Sequence, residues 1–186
     1  MKKFILLASI LFTTLLFVSC SKDDDTALPE PVNEEEVITT LTATLEPAGE
    51  GTTITLQSQD LDGDGPNAPV VTVSGNLKAG AIYNGRIVLL NEMGSPAKDI
   101  TEEVEEEDLD HQFFYTIGSG LNVTTSYENN DSEGNPLGTE FTLVAGAASS
   151  GDLTFTLRHE PTKPNTGLDD AGGETDISVT FNLTIE

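Results

Sequence analysis

The chain predicts an all-β domain: an antiparallel β-sandwich of about eight or nine strands with one short acidic helical segment. Apolar and polar residues alternate with a period of two over most of its length, as in strands with water on one face. Clusters of Gly, Pro, Asp and Asn separate these runs roughly every 10–15 residues. Almost no segment has the period of an amphipathic helix. Together these observations are typical of an Ig-like sandwich.

The alternation defines the strands in chain order. It is clearest near the end, where apolar residues from Ile177 to Ile185 alternate with polar ones. Threonine dominates the predicted wet faces, where its β-branch suits a pleated surface. Residues 79–91 contain a longer apolar run, for which we expect a central strand buried on both faces. The other predicted strands are centred on Leu41–Leu45, Ile54–Leu56, Val71–Val73, Leu121–Tyr127, Phe141–Leu143 and Leu153–Leu157.

One segment breaks the alternation. Seven of the nine residues from Glu102 to Asp110 are acidic, and Thr101 precedes them as a candidate N-cap. Acids in the first turn favour a helix, whereas acids at its far end oppose the helix dipole. We therefore expect one or two helical turns that cross between strands or lie over one end of the sandwich. Residues 161–174 are expected to form a long Pro/Gly/Asp loop before the last strand.

Residues 1–19 have the pattern of an export signal. Two lysines precede an apolar run of about 15 residues, which is too short to cross a bilayer core of roughly 30 Å. Cys20, the only cysteine, follows a small residue, and this arrangement resembles the lipobox of bacterial lipoproteins. The resemblance implies cleavage before Cys20 and its acylation. Residues 20–35 are then expected to form an acidic flexible tether, and residues 36–186 the sandwich domain.

The residues after the cysteine have the pattern of a sorting signal. Lys22 and the aspartates Asp23, Asp24 and Asp25 resemble the signal that sends lipoproteins of the Bacteroidota to the outer face of the outer membrane. We therefore expect a protein that is held in the outer membrane by its lipid anchor and faces the cell exterior. A solvated acidic spacer without a sorting role, on a protein that faces the periplasm, is the alternative.

The charge of the chain excludes one class of partner. The formal net charge is −24, and loss of the two basic residues in the leader makes it −26. Such a surface repels phosphates, so we expect no nucleic-acid partner, and it leaves attachment to the membrane to the acyl chains. It raises the local concentration of cations instead. Solubility alone is the alternative explanation, and we expect a monomer.

Asp60, Asp62 and Asp64 have the spacing of the first half of a calcium loop. The second half does not fit, because Val71 stands where such a loop has its glutamate and the flanks are predicted strands. We therefore keep two possibilities: a Ca²⁺ clip between strands, or a turn whose side chains cap their own backbone. The similar stretch Asn129–Pro136 is expected to be a hairpin tip.

The two histidines of the chain are candidate transition-metal ligands. If the acidic segment is helical as far as His111, then Glu103, Glu107 and His111 lie on one helix face. His159 ends a predicted strand, and the two histidines could meet at one rim of the sandwich. Zinc and iron are the metals expected for such ligands. Two hydrogen-bonded, partly exposed histidines without a metal are the alternative.

No pattern supports catalysis, and we expect that the protein is not an enzyme. The chain has no Gly-x-Ser-x-Gly turn and no glycine-rich phosphate loop, and its one thiol is expected to be acylated. Pairs of carboxylates are frequent in a chain this acidic, so their spacing carries no specific signal.

Four stretches carry a resemblance to a known group: Asp99–Glu107, His111–Phe114, Leu157–Pro161 and Gly172–Ile177. They resemble small flavobacterial lipoproteins labelled as type 1 periplasmic binding fold superfamily proteins. The resemblance implies a surface lipoprotein that works beside outer-membrane uptake receptors. The function predicted here is the non-enzymatic binding of a cation or metal-containing ligand, accessory to such a receptor. A structural or protein-interaction Ig-like module without its own small ligand is the alternative.

Overall fold

The computed structural model describes residues 36–63 and 65–186. The predicted leader, Cys20, the tether and Asp64 lie outside these ranges. The prediction of an all-β fold is confirmed, although the described residues form ten strands rather than eight or nine. The elements are β1 (Thr40–Pro47), β2 (Ile54–Gln59), β3 (Val70–Val73), β4 (Ile82–Asn91), β5 (Lys98–Asp99), α1 (Ile100–Glu106), β6 (His111–Ile117), β7 (Val123–Tyr127), β8 (Glu140–Ala145), β9 (Ser149–His159), α2 (Leu168–Ala171) and β10 (Glu174–Ile185).

The strands form two antiparallel sheets. The larger sheet has the order β3-β2-β1-β4-β8-β7, and the two-residue strand β5 pairs with the end of β4. The smaller sheet has the order β10-β9-β6. Since β6 follows α1, the acidic segment carries the chain from the larger sheet to the smaller one, which is the first of the two positions that the sequence left open.

The core lies between the two sheets and follows the alternation of each strand. In β1 and β9 apolar residues occupy alternate positions that face the core, and their side chains are fully buried, as in Leu41 and Phe155. Phe155 of the smaller sheet contacts Phe141 of the larger sheet, with ring centroids 5.6 Å apart and an edge-to-face arrangement. Each such buried ring or leucine contributes about 1.5–3 kcal/mol relative to exposure. The layers are therefore held by ordinary apolar packing.

The prediction that residues 79–91 are buried on both faces is wrong. Strand β4 is central in its sheet, between β1 and β8, yet its burial alternates. Ile87 and Leu89 face the core, whereas Ile82 is 47% exposed. No second layer covers the outer face of this sheet in the described part of the chain, so a central position in the hydrogen-bond ladder does not bring burial on both sides.

Helix α1 confirms the predicted short acidic helix, but Thr101 is not its N-cap. The Oδ1 atom of Asp99 accepts a hydrogen bond from the Thr101 N–H (2.9 Å) and caps the helix. The Thr101 hydroxyl is buried and accepts a hydrogen bond from the Leu89 N–H of β4 (2.8 Å). No basic residue lies in the last turn, and the helix ends at Glu106. None of the helices in the described ranges is long and apolar enough to cross a bilayer.

Candidate metal centre

The two histidines meet at the end of the smaller sheet. His111 is the first residue of β6, His159 is the last of β9, and the register of the two strands places them directly opposite each other. Their ring centroids are 4.9 Å apart. His159 continues the inward-facing series of Phe155 and Leu157, and both imidazoles are buried (0% and 6% exposed). The expectation that the histidines share one rim of the sandwich is confirmed.

Two carboxylates join the histidine pair. The Nε2 atom of His111 lies 3.3 Å from Oε2 of Glu36 and 3.7 Å from Oδ2 of Asp176. The Nδ1 atom of His159 lies 3.5 Å from Oε2 of Glu36 and 3.4 Å from Oδ1 of Asp176. One ligand atom from each of the four residues lies within 4.8 Å of all the others. We call this group, Glu36, His111, His159 and Asp176, the four-residue cluster.

A β-bulge brings Asp176 into the cluster. Along β10 the pairing with β9 shifts between Thr175 and Ile177, so Asp176 has no partner in the ladder. Strict alternation with Ile177 would point Asp176 to the outer face. The extra residue of the bulge turns its side chain inward, where it is fully buried. This is the local feature that converts an expected surface aspartate into a buried one.

Glu36 reaches the cluster from outside the sheets. It lies four residues before β1, in a segment without strand pairing. Its side chain is nevertheless only 6% exposed. A charged glutamate of this kind is buried in proteins only when a compensating charge is present.

The spacing of the cluster matches a metal site better than a set of ion pairs. Charge-assisted N–H···O hydrogen bonds are about 2.7–2.9 Å long, and all four contacts here are longer. Zinc binds imidazole and carboxylate ligands at about 2.0–2.1 Å, so two ligands of a tetrahedral site are separated by about 3.3–3.4 Å. The observed distances of 3.3–3.7 Å lie close to that tetrahedral edge.

The backbone around His111 selects the nitrogen that faces the cluster. The Nδ1 atom of His111 lies 3.1 Å from the Glu107 carbonyl oxygen, which can only accept a hydrogen bond. The neutral ring therefore carries its proton on Nδ1, and Nε2 presents a lone pair. No hydrogen bond reaches Nε2 of His111 or Oε2 of Glu36 within the described residues. The Nε2 atom of His111 thus faces the Glu36 carboxylate at 3.3 Å.

The pKa of the Asp176 carboxyl group reflects its burial beside a second carboxylate. Its pKa is raised to about 6, because burial disfavours the charged form and Glu36 repels it. His111 and His159 partly offset this rise. The cluster thus gathers two carboxylates in one buried place, where a divalent cation would offset their charge.

Lys163 forms hydrogen bonds with the backbone at the start of β6, the strand that contains His111. Its Nζ atom donates hydrogen bonds to the carbonyl oxygens of Asp108 (2.7 Å) and His111 (2.6 Å), and to Oδ2 of Asp131 (3.0 Å). All three protons of the buried ammonium are therefore used. Asp131 in turn accepts from the N–H groups of Glu133 and Asn135, which makes Asn129–Pro136 the turn that the sequence predicted rather than a cation loop.

Two of the predicted metal ligands do not belong to the cluster. Helix α1 ends at Glu106, so the assumed helix face through Glu103, Glu107 and His111 does not exist. The carboxylate of Glu103 instead binds Lys98 (2.7 Å). Glu107 is exposed, and it contacts His111 through its backbone carbonyl rather than its carboxylate. Glu36 and Asp176 are the carboxylates of the cluster, in place of the predicted Glu103 and Glu107.

The aspartate loop shows the capped turn that the sequence left open. Oδ2 of Asp62 accepts hydrogen bonds from the side-chain amide (2.6 Å) and backbone N–H (3.3 Å) of Asn67. The Asp60 backbone N–H binds the Thr39 carbonyl (2.7 Å), which ties this loop to β1. Asp64 lies outside the described residues, so the calcium clip of Asp60, Asp62 and Asp64 stays a prediction.

Comparisons of the chain with protein-family models, with curated proteins and with solved structures found no match. The chemistry of the cluster is therefore argued from its own geometry.

Proposed function

We propose that this chain is a lipid-anchored, non-enzymatic binding protein of the outer membrane. Its ligand is a divalent transition-metal ion held by Glu36, His111, His159 and Asp176. The observation that supports this most directly is the set of four distances between imidazole nitrogens and carboxylate oxygens, 3.3–3.7 Å, which lie close to the edge of a tetrahedral zinc site.

The ligand types favour particular metals. Two imidazoles and two carboxylates suit Zn²⁺ and Fe²⁺, whereas Ca²⁺ takes six to eight oxygen ligands. A tetrahedral geometry with nitrogen and oxygen ligands favours Zn²⁺. We therefore expect Zn²⁺ to bind this cluster more tightly than Ca²⁺ does.

The burial of the site argues against catalysis. The protein supplies four ligands, and none of the four side chains is more than 6% exposed. Catalytic zinc sites keep one position open for water or substrate, whereas structural sites are closed. A closed site suits binding and stabilisation of the fold.

The charge and the leader support a location outside the cell. A net charge of −26 in the chain that follows the leader concentrates cations around the domain. The acyl chains on Cys20 would hold it at the outer surface, beside an uptake receptor. Metal capture for such a receptor is the role we assign to it.

Isothermal titration and thermal unfolding of the metal-free chain test this proposal. We expect Zn²⁺ to bind with a stoichiometry near one. At about 100 times its Kd, Zn²⁺ should raise the melting temperature by about 5–10 °C. Ca²⁺ at the same concentration serves as the matched control and should not compete. If neither heat nor a thermal shift is observed with Zn²⁺ or Fe²⁺, the proposal is wrong.

One observation favours an interaction module as the second candidate. Strand β3 is an edge of the larger sheet, and its valines Val70 and Val71 are 63% and 46% exposed. Exposed apolar edge strands pair readily with strands of other proteins. A membrane partner that stays bound after chelation and after H111A/H159A, but is lost in V71D, would support this candidate.

A further inference from the structure

We propose, on the basis of the proposed metal site, that the metal ion acts as a clasp. It would fasten residues 36–38, which we call the entry segment, to the end of the smaller sheet; Thr39, which follows, is held to β4 by its own hydrogen bonds. In the absence of the ion this segment would detach, so metal loading would decide where the ordered domain begins.

The four ligands differ in how they are held. His111 and His159 are fixed opposite each other in the β6–β9 ladder, and Asp176 lies within β10 between paired residues. Glu36 belongs to no strand. In the described part of the chain the first backbone hydrogen bond runs from the Thr39 N–H to the Leu90 carbonyl (2.9 Å). Glu36 is therefore the ligand that can leave without breaking a sheet.

The rest of the entry segment contributes little to its own attachment. Val37 is 54% exposed, and Ile38 is only partly buried against the core. The side chain of Glu36, by contrast, is almost fully buried. The position of the segment thus depends on whether this carboxylate is favourable in its buried site.

A bound cation would make the buried position of the Glu36 carboxylate favourable. Without one, Glu36 and Asp176 are two carboxylates beside the same pair of imidazoles, and Glu36 can relieve their repulsion by moving into water. With a divalent ion the same carboxylate becomes a ligand, and leaving would cost a metal–oxygen bond. The equilibrium of the entry segment is therefore coupled to metal binding.

Release of the segment would change two features of the molecule. The predicted tether, residues 20–35, would lengthen by three residues, with an added reach of about 10 Å. A cleft of about 240 Å³ would also widen, because Ile38 lines it on one side and residues 177–180 of β10 line it on the other. Metal loading would thus set both the reach of the domain and the accessibility of this cleft.

Hydrogen–deuterium exchange of the full chain, with EDTA or with saturating Zn²⁺, tests the clasp. We expect Zn²⁺ to slow exchange of the Thr39 amide, whose hydrogen bond to Leu90 directly follows the entry segment, by about tenfold or more. Amides in the β7–β8 ladder serve as an internal reference and should change less. E36Q should bind Zn²⁺ more weakly and should show no Zn²⁺-dependent slowing at Thr39, whereas E50Q, at an exposed loop glutamate, should behave like the wild type.

The outcomes separate the clasp from the metal site itself. If the wild type binds Zn²⁺ while exchange of the Thr39 amide is unchanged, or slows only as much as in β7–β8, the clasp is wrong and the metal site stands. Protection that persists in E36Q at saturating Zn²⁺ also overturns the clasp. If the wild type binds no Zn²⁺, both proposals fail together.

Discussion

The backbone carbonyl oxygen of Glu107 lies 3.1 Å from Nδ1 of His111, at the junction between α1 and β6. This contact orients the imidazole and leaves Nε2 as its free lone pair. Histidines that bind a metal commonly donate a hydrogen bond from their other ring nitrogen, which fixes the tautomer and raises the basicity of the nitrogen that binds the metal. The short loop after α1 thus orients His111 for the metal-binding role proposed here without supplying a ligand.

Replacement of Glu107 distinguishes the carbonyl from the carboxylate. We expect E107Q to leave Zn²⁺ affinity unchanged, because the backbone contact to His111 is kept and the side chain is exposed. H111A should lower the affinity by more than the roughly 10–100-fold typical of a lost outer hydrogen bond. Titration calorimetry measures both values.

A control is available on the same strand. Gln112 is buried one residue further along β6, where it binds Asn165 rather than the cluster. We expect Q112A to lower the melting temperature while the Zn²⁺-induced rise remains. A loss of Zn²⁺ binding in E107Q equal to that in H111A would contradict the ligand set proposed here.

The histidine pair could be predicted from the sequence, but its two carboxylates could not. His111 and His159 end runs of alternating residues, and such ends gather at the rims of a sandwich. Asp176 precedes Ile177, so alternation alone points it outward; only the bulge turns it inward, and no turn residue marks that bulge. Glu36 is the last of three consecutive glutamates, and nothing local distinguishes it from its neighbours.

The error over Glu103 and Glu107 has a physical cause. Spacing of i, i+4 and i+8 requires a helix through residue 111, whereas the acids at the end of α1 oppose its dipole and the chain enters β6. The class of the fold was easier to predict, since a period of two recurs in every long strand. The burial of only one face of β4 depends on which layers cover a sheet, and periodicity does not report that.

Gly173 is predicted to be required for the geometry of the cluster. Its φ is +70°, and a Cβ at this position would lie 2.2 Å from the His159 carbonyl oxygen. G173A must therefore displace the chain just before Asp176 or the end of β9. We expect Zn²⁺ affinity to fall by about tenfold or more, on the scale of a disturbed outer contact.

Gly80 provides the matched control for this substitution. Its φ is +74°, but a Cβ there would meet nothing within 4 Å. G80A should lose about 1–2 kcal/mol from the left-handed backbone alone and keep its Zn²⁺ affinity. Thermal unfolding and titration of both variants separate the backbone effect from the steric one. Equal Zn²⁺ affinities in G173A and G80A would contradict the prediction.

The contact between Asp131 and Lys163 predicts a contribution to stability that is lost in acid. Burial alone would raise the pKa of Asp131, but hydrogen bonds from Lys163 and Asn135 outweigh it, so the pKa is lowered. A carboxylate with a lowered pKa in the folded state stabilises the fold above its unfolded pKa of about 3.9, and the contribution disappears as the pH falls through the folded value. Acid should therefore weaken the wild type below about pH 4.

The variant D131N tests this contribution. At neutral pH it should be less stable by about 1.5–3 kcal/mol, because Lys163 keeps its two carbonyl partners but loses its charged one. Its stability should then change less than that of the wild type below about pH 4. Denaturant unfolding between pH 7 and pH 2 measures the difference, with D110N at an exposed position as the control. Parallel curves for D131N and the wild type would rule out the contact as a source of acid sensitivity.

Cys20 is predicted to carry the anchor on which the proposed location depends. The apolar run before it is too short to span a bilayer, and the charge that follows cannot bind anionic lipid, so attachment requires acyl chains. We expect the native protein to begin at Cys20, to carry the mass of lipid, and to partition into detergent. C20S should keep its leader and lack the mass of lipid, whereas S21A should behave like the wild type. Intact-mass spectrometry and detergent partitioning measure both properties, and protease digestion of whole cells reports the face on which the domain lies.

A native chain with a free thiol and an uncleaved leader would remove the anchor, and with it the proposed role beside an uptake receptor, while the metal site of the folded domain would be unaffected.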